Sequence, residues 1–186
     1  MLQPAQAFGT VSKVLSGMEQ DLIIERTKSK ISLLQPDTLL EKLSQNYSGP
    51  TGSIKIPIKV NLDGNALLKT LSELSEKIKV PIVATGMSSV SRYAVMQREE
   101  KLSVYCPRGE ELLSLLAPTT SSRFPNLEII DTMDTTAYFD ARKEQGFMWA
   151  SPVQTHLELM NGNKRDQEVA GQVKSFLLDQ IGRGGA

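Results

Sequence analysis

The chain has 186 residues, of which 40% are hydrophobic and 23% are charged, and its 21 basic side chains balance 21 acidic ones. This composition is typical of a globular protein with one domain, or one domain and a small module, and it argues against collagen, coiled coil and a large multidomain enzyme. The zero net charge provides no protein-wide attraction to nucleic acid or anionic lipid, so such binding requires a local patch. The apolar runs are far shorter than the roughly 20 residues of a membrane span, so we expect no membrane partner.

The chain contains one cysteine, Cys106, and one histidine, His156. One cysteine forms no intramolecular disulfide, which is typical of a reducing compartment, and the usual zinc sites need more cysteine or histidine. Residues 1–6 lack the basic region and apolar core of a secretory signal. We therefore expect a cytoplasmic protein without a metal or cofactor.

Turn-forming residues at 48–53 break both helix and strand, and they predict a boundary between a module of residues 1–48 and a larger domain of residues 53–182. A similar run at 118–122 is interpreted as a surface loop within the larger domain, because strand-like segments continue on both sides. The glycine-rich end at 182–186 has nothing to bury and is expected to fray.

The first module follows the order helix, hairpin, helix. An amphipathic helix is predicted from Gly9-Thr10 onwards, and its apolar stripe consists of Val11, Val14, Leu15, Met18 and Leu22. Two β-compatible runs, 22–25 and 31–33, follow at once and are joined by a polar loop at 26–30. Pro36 and Asp37 open a second helix, in which Thr38 and Glu41 have the spacing of a capping box.

The larger domain alternates strands and helices, so its predicted class is α+β. An edge strand is expected at 54–60 because Pro57 interrupts it, and a clear helical stripe follows at Leu67, Leu71, Leu74 and Ile78. Further strands are predicted at 80–85, 102–106, 127–131, 137–139 and 147–150. Further helices are predicted at 89–97, at 110–116, from Ser151-Pro152 through Met160, and from the region after 161–163 to Ile181.

A helix followed directly by a hairpin with a basic tip is typical of the second half of a winged helix-turn-helix, in which the helix enters the major groove of DNA and the wing contacts phosphate. Short donors and one cation lie opposite the apolar stripe, namely Thr10, Ser12, Lys13 and Ser16. The wing carries three cations in five residues, Arg26, Lys28 and Lys30. The alternative is a solvated helix and hairpin that point serine and lysine outward without binding DNA.

Two features limit this interpretation. The five basic residues of the first module are balanced by five acidic ones, so a monomer should bind DNA weakly. Fewer than ten residues precede the predicted recognition helix, so we expect a shortened module that lacks the usual first helix, or one that a partner completes.

The residues also resemble a known family. Residues 10–23 are similar to the recognition helix of winged-helix regulators, whose common form ends in leucine-glutamate-acidic-glycine-leucine-isoleucine, and Met18 and Leu22 differ from it. Together with residues 33–40, 84–89 and the serine-proline-x-glutamine-x-x-leucine-x-leucine run at 151–159, the chain resembles the AbiEi antitoxin family of type IV toxin–antitoxin systems. This resemblance covers most of the chain.

The resemblance implies a transcriptional autorepressor whose N-terminal winged helix binds double-stranded operator DNA. It implies that the larger domain counteracts a nucleotidyltransferase-like toxin, which would be a protein partner. A homodimer is a further possible partner. The alternative from another class is a protein-interaction module, in which the shortened winged helix mediates dimerisation or toxin docking and no DNA is bound.

An enzyme is the third alternative, because residues 80–106 also resemble the opening of a nucleotidyltransferase domain. Such enzymes use paired carboxylates on the next strand to hold two metal ions, and the strand at 102–106 contains no acid. Asp131 and Asp134 are the remaining candidates, although acids at strand ends are usually solvated or capping residues. We therefore predict a non-enzymatic relative of that architecture.

The remaining single features favour structural roles. The turn at 86–89 is interpreted as a capped strand-to-helix turn, with a backbone phosphate site as the alternative. His156 is expected to be a hydrogen-bonded structural residue, Cys106 to be buried and inert, and Trp149 to lie in the core. Arg123 and Phe124 are candidates for a partner surface.

Overall fold

The computed structural model describes residues 4–62, 64–95, 101–116 and 124–184. The fold is α+β, as the sequence predicts, and the chain divides into two compact units. Unit 1 is Met1–Asn46 and unit 2 is Tyr47–Ala186. Among the described helices, none is long and apolar enough to cross a lipid bilayer.

Unit 1 contains two helices and a two-stranded antiparallel sheet in the predicted order. The helices are α1 (Pro4–Gln20) and α2 (Pro36–Asn46), and the strands are β1 (Ile24–Arg26) and β2 (Ile31–Leu33). Helix α1 begins at Pro4 instead of Gly9, since proline is well suited to the first turn of a helix. Gly9 is therefore inside the helix and does not start it.

The end of α1 is a tight reversal that leads directly into the hairpin. The N–H of Ile23 donates to Met18 O and the N–H of Leu22 donates to Glu19 O, at 2.9 and 3.1 Å. This pair of bonds is the Schellman motif, and it places Leu22 in the left-handed region with φ 57°. Leucine is costly at a position that glycine usually occupies, so this turn stores backbone strain.

The predicted capping box in α2 is wrong. Because the helix begins at Pro36, Thr38 lies inside its first turn and does not cap it. Its hydroxyl donates instead to Gln35 Oε1 at 3.0 Å. Gln35 also ties this helix to the preceding turn, because its Nε2 donates to Leu22 O at 3.0 Å.

The apolar stripe of α1 is only partly covered by the rest of unit 1. Val11 is 56% exposed and Val14 is 50% exposed. The buried apolar residues described in unit 1 are Ile23, Ile24 and Leu40. The short hairpin and α2 therefore provide too little apolar surface to cover the whole stripe.

Unit 2 is built on a six-stranded mixed sheet with the strand order β3-β6-β5-β4-β8-β7. The pairs β5/β6 and β4/β8 are parallel and the other neighbours are antiparallel. Strand β3 lies at an edge, as Pro57 predicts, because proline lacks the N–H that an interior strand needs. The strands are β3 (Ile54–Ile58), β4 (Val83–Ala84), β5 (Leu102–Cys106), β6 (Leu127–Asp131), β7 (Arg142–Glu144) and β8 (Phe147–Trp149).

Helices pack against both faces of this sheet. They are α3 (Gly64–Ile78), α4 (Gly109–Leu116), α5 (Pro152–Met160) and α6 (Lys164–Gly184), with two 3₁₀ helices at Gly86–Arg92 and Thr135–Tyr138. The main core forms where Leu67, Leu71 and Ile78 of α3 meet Val104 and Ile129 of the sheet. A second core joins the first 3₁₀ helix to α5 and α6 through Val90, Leu159 and Val173.

Two predicted elements around β4 are corrected. The strand expected at 80–85 is reduced to Val83–Ala84, because Val80 remains bound to the end of α3 through Ser75. The helix expected at 89–97 is a 3₁₀ helix at Gly86–Arg92, and residues 96 and 97 lie outside the described residues. The expected loop at 118–122 and Arg123 also lie outside them.

The region after β6 differs most from the prediction. The strand expected at 137–139 is the second 3₁₀ helix, because the side chain of Asp134 accepts from the N–H of Thr136 and caps a helical turn there. Strand β7 was not predicted, since its three residues are charged and exposed. Helix α6 continues to Gly184, beyond the end predicted at Ile181.

Candidate functional site

The DNA-binding residues predicted on α1 share its polar face. Thr10, Ser12 and Lys13 are exposed, and Ser16 is half-buried. Positions 12, 13 and 16 point to the same side of a 3.6-residue helix, opposite the apolar stripe. Three of the four predicted side chains are therefore accessible to a ligand that lies along this face.

The basic residues of the hairpin lie at its tip. The loop closes through three hydrogen bonds between Thr27 and Lys30. The N–H and the hydroxyl of Thr27 donate to Lys30 O at 2.9 and 3.2 Å, and the N–H of Lys30 donates to Thr27 Oγ1 at 3.1 Å. Lys28 and Lys30 are exposed. Among the described residues, Lys13, Lys28 and Lys30 form no ion pair.

Arg26 has a different environment from the two loop lysines. Its guanidinium pairs with the carboxylate of Glu19, with Nη2 2.8 Å from Oε2, and Nη2 also donates to Ser16 Oγ at 3.4 Å. Arg26 and Ser16 are thus held together by a bridge from the hairpin to α1. The bridge fixes the hairpin against the helix, and it compensates one of the three positive charges counted for the wing.

The sequence analysis missed a polar cluster in unit 2 that is centred on Glu158. Its Oε1 accepts from Thr85 Oγ1 and Tyr105 Oη, each at 2.6 Å, and from Gln154 Nε2 at 2.8 Å. The same amide donates to Tyr47 Oη at 2.6 Å. Three donors on one oxygen satisfy a carboxylate, so the cluster fastens α5 to strands β4 and β5 and to the first residue of unit 2.

Burial dominates the electrostatics of this cluster. It raises the pKa of Glu158 above its usual value, although the hydrogen bonds from Thr85, Tyr105 and Gln154 act in the opposite direction. It also raises the pKa of Tyr47 to about 12, and that of Tyr105 further. Both phenols therefore remain protonated near neutral pH and are available as donors.

The Glu158 carboxylate also contacts the turn at residues 86–89. Gly86 has φ 55°, and a Cβ on it would lie 3.3 Å from Glu158 Oε2. The backbone N–H of Gly86 interacts with this carboxylate. The backbone N–H at the start of the 3₁₀ helix is thus occupied by a side chain of the protein itself, which favours the structural interpretation of this turn over the phosphate alternative.

The spacing Gln154-x-x-x-Glu158 was the available signal for this cluster, since residues four apart share a helix face. The pattern around it explains the serine-proline-x-glutamine run. Ser151 Oγ accepts from the N–H of Gln154 at 3.1 Å and caps α5, and Pro152 occupies its first turn. These residues have structural roles in unit 2.

The single histidine, cysteine and tryptophan are buried, as predicted. His156 Nδ1 lies 3.0 Å from Ala170 O, and burial lowers its pKa. Burial raises the pKa of the Cys106 thiol to about 11, so it is a poor nucleophile at neutral pH. Trp149 packs in the main core and stacks against Arg92, whose Cζ is 4.5 Å from the ring centroid.

The two carboxylates proposed for an enzyme have local partners. Asp134 accepts from the N–H groups of Thr51 and Thr136 at 2.9 and 3.0 Å, and these bonds lower its pKa. Asp131 packs against Gly109, where a Cβ would lie 2.6 Å from its own Cβ. Within the described ranges, no group of three or more histidine, cysteine, aspartate or glutamate side chains is placed to hold a metal ion.

Comparisons with protein-family models, with curated proteins and with solved structures give no significant match. The functional argument therefore depends on the residues of this chain.

Proposed function

We propose that this protein is a DNA-binding transcriptional regulator, with unit 1 acting as a winged-helix module on double-stranded operator DNA. The observation that carries the proposal is the exposure of Lys28 and Lys30 at the tip of a hairpin that directly follows α1. A helix and a basic hairpin in this order are the two elements that winged-helix proteins place on DNA.

In this mechanism α1 enters the major groove. Thr10, Ser12 and Lys13 contact base edges or phosphates from its exposed polar face, while Lys28 and Lys30 neutralise phosphates beside the groove. Arg26 acts through Glu19 and Ser16, because its guanidinium keeps the hairpin at a fixed angle to the helix. Ser16 and Arg26 are thus positioning residues, and the other five of the predicted residues contact DNA.

The antitoxin part of the proposal rests on the resemblance to the AbiEi family. A member of that family would repress its own operon and counteract a nucleotidyltransferase-like toxin. Unit 2 would then provide the surface for the toxin.

The test is fluorescence anisotropy of the full chain with a labelled duplex from its own upstream region, beside a scrambled duplex, at two salt concentrations. We expect tighter binding to the native duplex and a loss of affinity as salt rises, because each neutralised phosphate releases counterions. Lys28→Ala should lower the salt slope by about one unit, and Lys164→Ala, an exposed lysine in α6, should not change it. Equal and weak binding to both duplexes would contradict the proposal.

A second candidate function is protein interaction through unit 1, and the exposure of Val11 and Val14 on α1 favours it. Apolar residues that repeat on one helix face commonly mark a contact with another protein. In that case the chain would be dimeric at micromolar concentration and insensitive to salt, and Val14→Glu would make it monomeric. Sedimentation velocity distinguishes this outcome from a monomer that binds DNA.

A further inference from the structure

Unit 2 has a wide groove on its surface that none of the proposals above uses. It runs between the N-terminal half of α3, the first 3₁₀ helix and the start of β8, with a volume of about 1480 Å³. Small-molecule sites usually measure roughly 300–1,000 Å³, so the groove has the size for a segment of a macromolecule. Its lining includes Leu68, Met87, Arg92, Leu102, Phe124 and Trp149.

Arg92 is the residue that indicates a ligand. Its side chain is 18% exposed, and Nη1 lies 3.8 Å from Glu144 Oε2, which is too far for a hydrogen bond. The Nε atom is buried and finds no acceptor among the described residues. Buried N–H groups almost always have a partner, and an unsatisfied one therefore calls for an explanation.

The guanidinium of Arg92 is already oriented for such a partner. Trp149 holds it by stacking, and because the contact with Glu144 is too long for a hydrogen bond, its Nη donors have no hydrogen-bond acceptor among the described residues. The Nη donors of arginine match the oxygens of a carboxylate or phosphate, whereas the buried Nε has no exposed surface that a ligand in the groove could contact. Arg92 is thus placed to bind an oxyanion.

The surroundings of Arg92 favour an apolar occupant. Leu68, Met87 and Leu102 are only partly buried. Phe124 at the rim is 85% exposed and has φ 56°, a backbone conformation that is rare for a bulky residue. Strain of this kind concentrates at binding sites, where surrounding structure maintains it.

A peptide fits these observations better than single-stranded nucleic acid. Nucleic-acid grooves stack successive bases on exposed aromatic rings, whereas Trp149 is 5% exposed and its face is covered by Arg92. The charged residues of the lining are Lys59, Lys69, Arg92 and Lys101 against Glu73 and Glu76, a balance that favours an acidic occupant. We propose that the groove binds an extended segment of a partner protein that carries apolar side chains and a carboxylate, with Arg92 receiving the carboxylate. This site narrows the surface of unit 2 that the proposed function leaves for a protein partner to one groove and one class of ligand, and its test is independent of DNA binding by unit 1.

Trp149 provides a direct signal for the test, because it is the one tryptophan of the chain and lines the groove. The full chain is titrated with an unlabelled decapeptide of alternating leucine and glutamate, while tryptophan emission is recorded. A matching leucine–lysine peptide and a twelve-residue oligothymidylate are titrated in parallel. We expect a saturable change in emission with the acidic peptide alone.

Two variants locate the binding, each with a matched control. Arg92→Gln should weaken binding about tenfold, the loss expected for a charge-assisted hydrogen bond, and Phe124→Ala should weaken it about threefold. Arg165→Gln and Met133→Ala, at exposed positions outside the groove, should bind like the parent chain. Because Phe124 is exposed, its variant keeps the core intact and remains informative if Arg92→Gln fails to fold.

Three results would overturn the inference. The first is no saturable signal with the acidic peptide. The second is binding that both Arg92→Gln and Phe124→Ala leave unchanged. The third is a response to oligothymidylate without one to the peptide, which would assign the groove to nucleic acid.

Discussion

The two units of this chain differ in how they use their apolar residues. Unit 2 buries the side chains of α3 and the sheet in a continuous core, whereas unit 1 buries Ile23, Ile24 and Leu40 and leaves much of the α1 stripe exposed. The two units also differ in where their polar groups lie. Unit 2 encloses a polar cluster around Glu158, while the three lysines of unit 1 that form no ion pair among the described residues face solvent.

This difference suggests that folding stability and DNA binding depend on different units. The free energy of unfolding depends mainly on buried apolar area, so we expect it to reside in unit 2. An exposed surface with uncompensated charge contributes little to stability and is available to a ligand. Substitutions of core residues in unit 2 should therefore affect folding, and substitutions of the exposed lysines in unit 1 should affect DNA binding.

The largest expected effect comes from the main core. Leu71→Ala in α3 removes a fully buried side chain and should lower the free energy of unfolding by about 3 kcal/mol. Val14→Ala in α1 should change it by less than about 0.5 kcal/mol, because Val14 is half exposed. Urea denaturation followed by circular dichroism measures both. Similar costs for the two variants would contradict the comparison.

The Glu158 cluster should give the next largest effect. Glu158→Ala leaves Thr85, Tyr105 and Gln154 without their shared acceptor, and we expect a loss of about 2 kcal/mol. Glu168→Ala in α6 is the matched control, since this glutamate is exposed. If the two variants unfold at the same urea concentration, the cluster does not fasten α5 to the sheet.

A smaller effect is the change of stability with pH that the single histidine causes. Burial lowers the pKa of His156, so below the usual value of about 6.5 the unfolded chain binds a proton that the folded chain does not. The stability that neutral His156 contributes is therefore present above that pH and is lost as pH falls toward its folded-state pKa. The C2 proton of this histidine should titrate in an NMR experiment with a midpoint below 6.5. A midpoint at or above 6.5 would refute the burial argument.

The smallest effect is a gain in unit 1. Leu22→Gly relieves the left-handed strain at the end of α1, and we expect about 0.5–1 kcal/mol of added local stability. Leu34→Gly provides the control, because Leu34 is also half exposed but has no positive φ, and it should destabilise. Hydrogen exchange of the α1 amides reports on both. Faster exchange in Leu22→Gly would show that the turn is not strained.

Local signals predicted much of the fold. The spacing of Leu67, Leu71 and Leu74 predicted α3, the serine-proline pair predicted the start of α5, and Pro57 predicted an edge strand. Strand β7 was not predicted because it has no apolar residue. Its pairing with β8 across the turn at Gln145 and Gly146 holds it in place. The periodicity of apolar residues does not reveal a strand that depends on pairing with its neighbour.

The sites were less predictable than the fold, because they depend on distant contacts. Arg26 has the appearance of a phosphate ligand in sequence, and only its contact with Glu19 on α1 shows that its charge is compensated. Glu158 lies between two leucines, and its role depends on Tyr47, Thr85 and Tyr105, which come from elsewhere in the chain. The DNA-binding assignment of unit 1 remains a prediction.

The most direct test of that prediction compares two triple variants of the full chain. One replaces Lys13, Lys28 and Lys30 by alanine, and the other replaces three exposed lysines of unit 2, Lys55, Lys143 and Lys164. Binding to the native upstream duplex is measured over a range of salt. The account predicts that the unit 1 variant loses about three units of salt slope and the preference for the native duplex, while the unit 2 variant keeps both. Equal losses in the two variants, or a loss in the unit 2 variant alone, would contradict it.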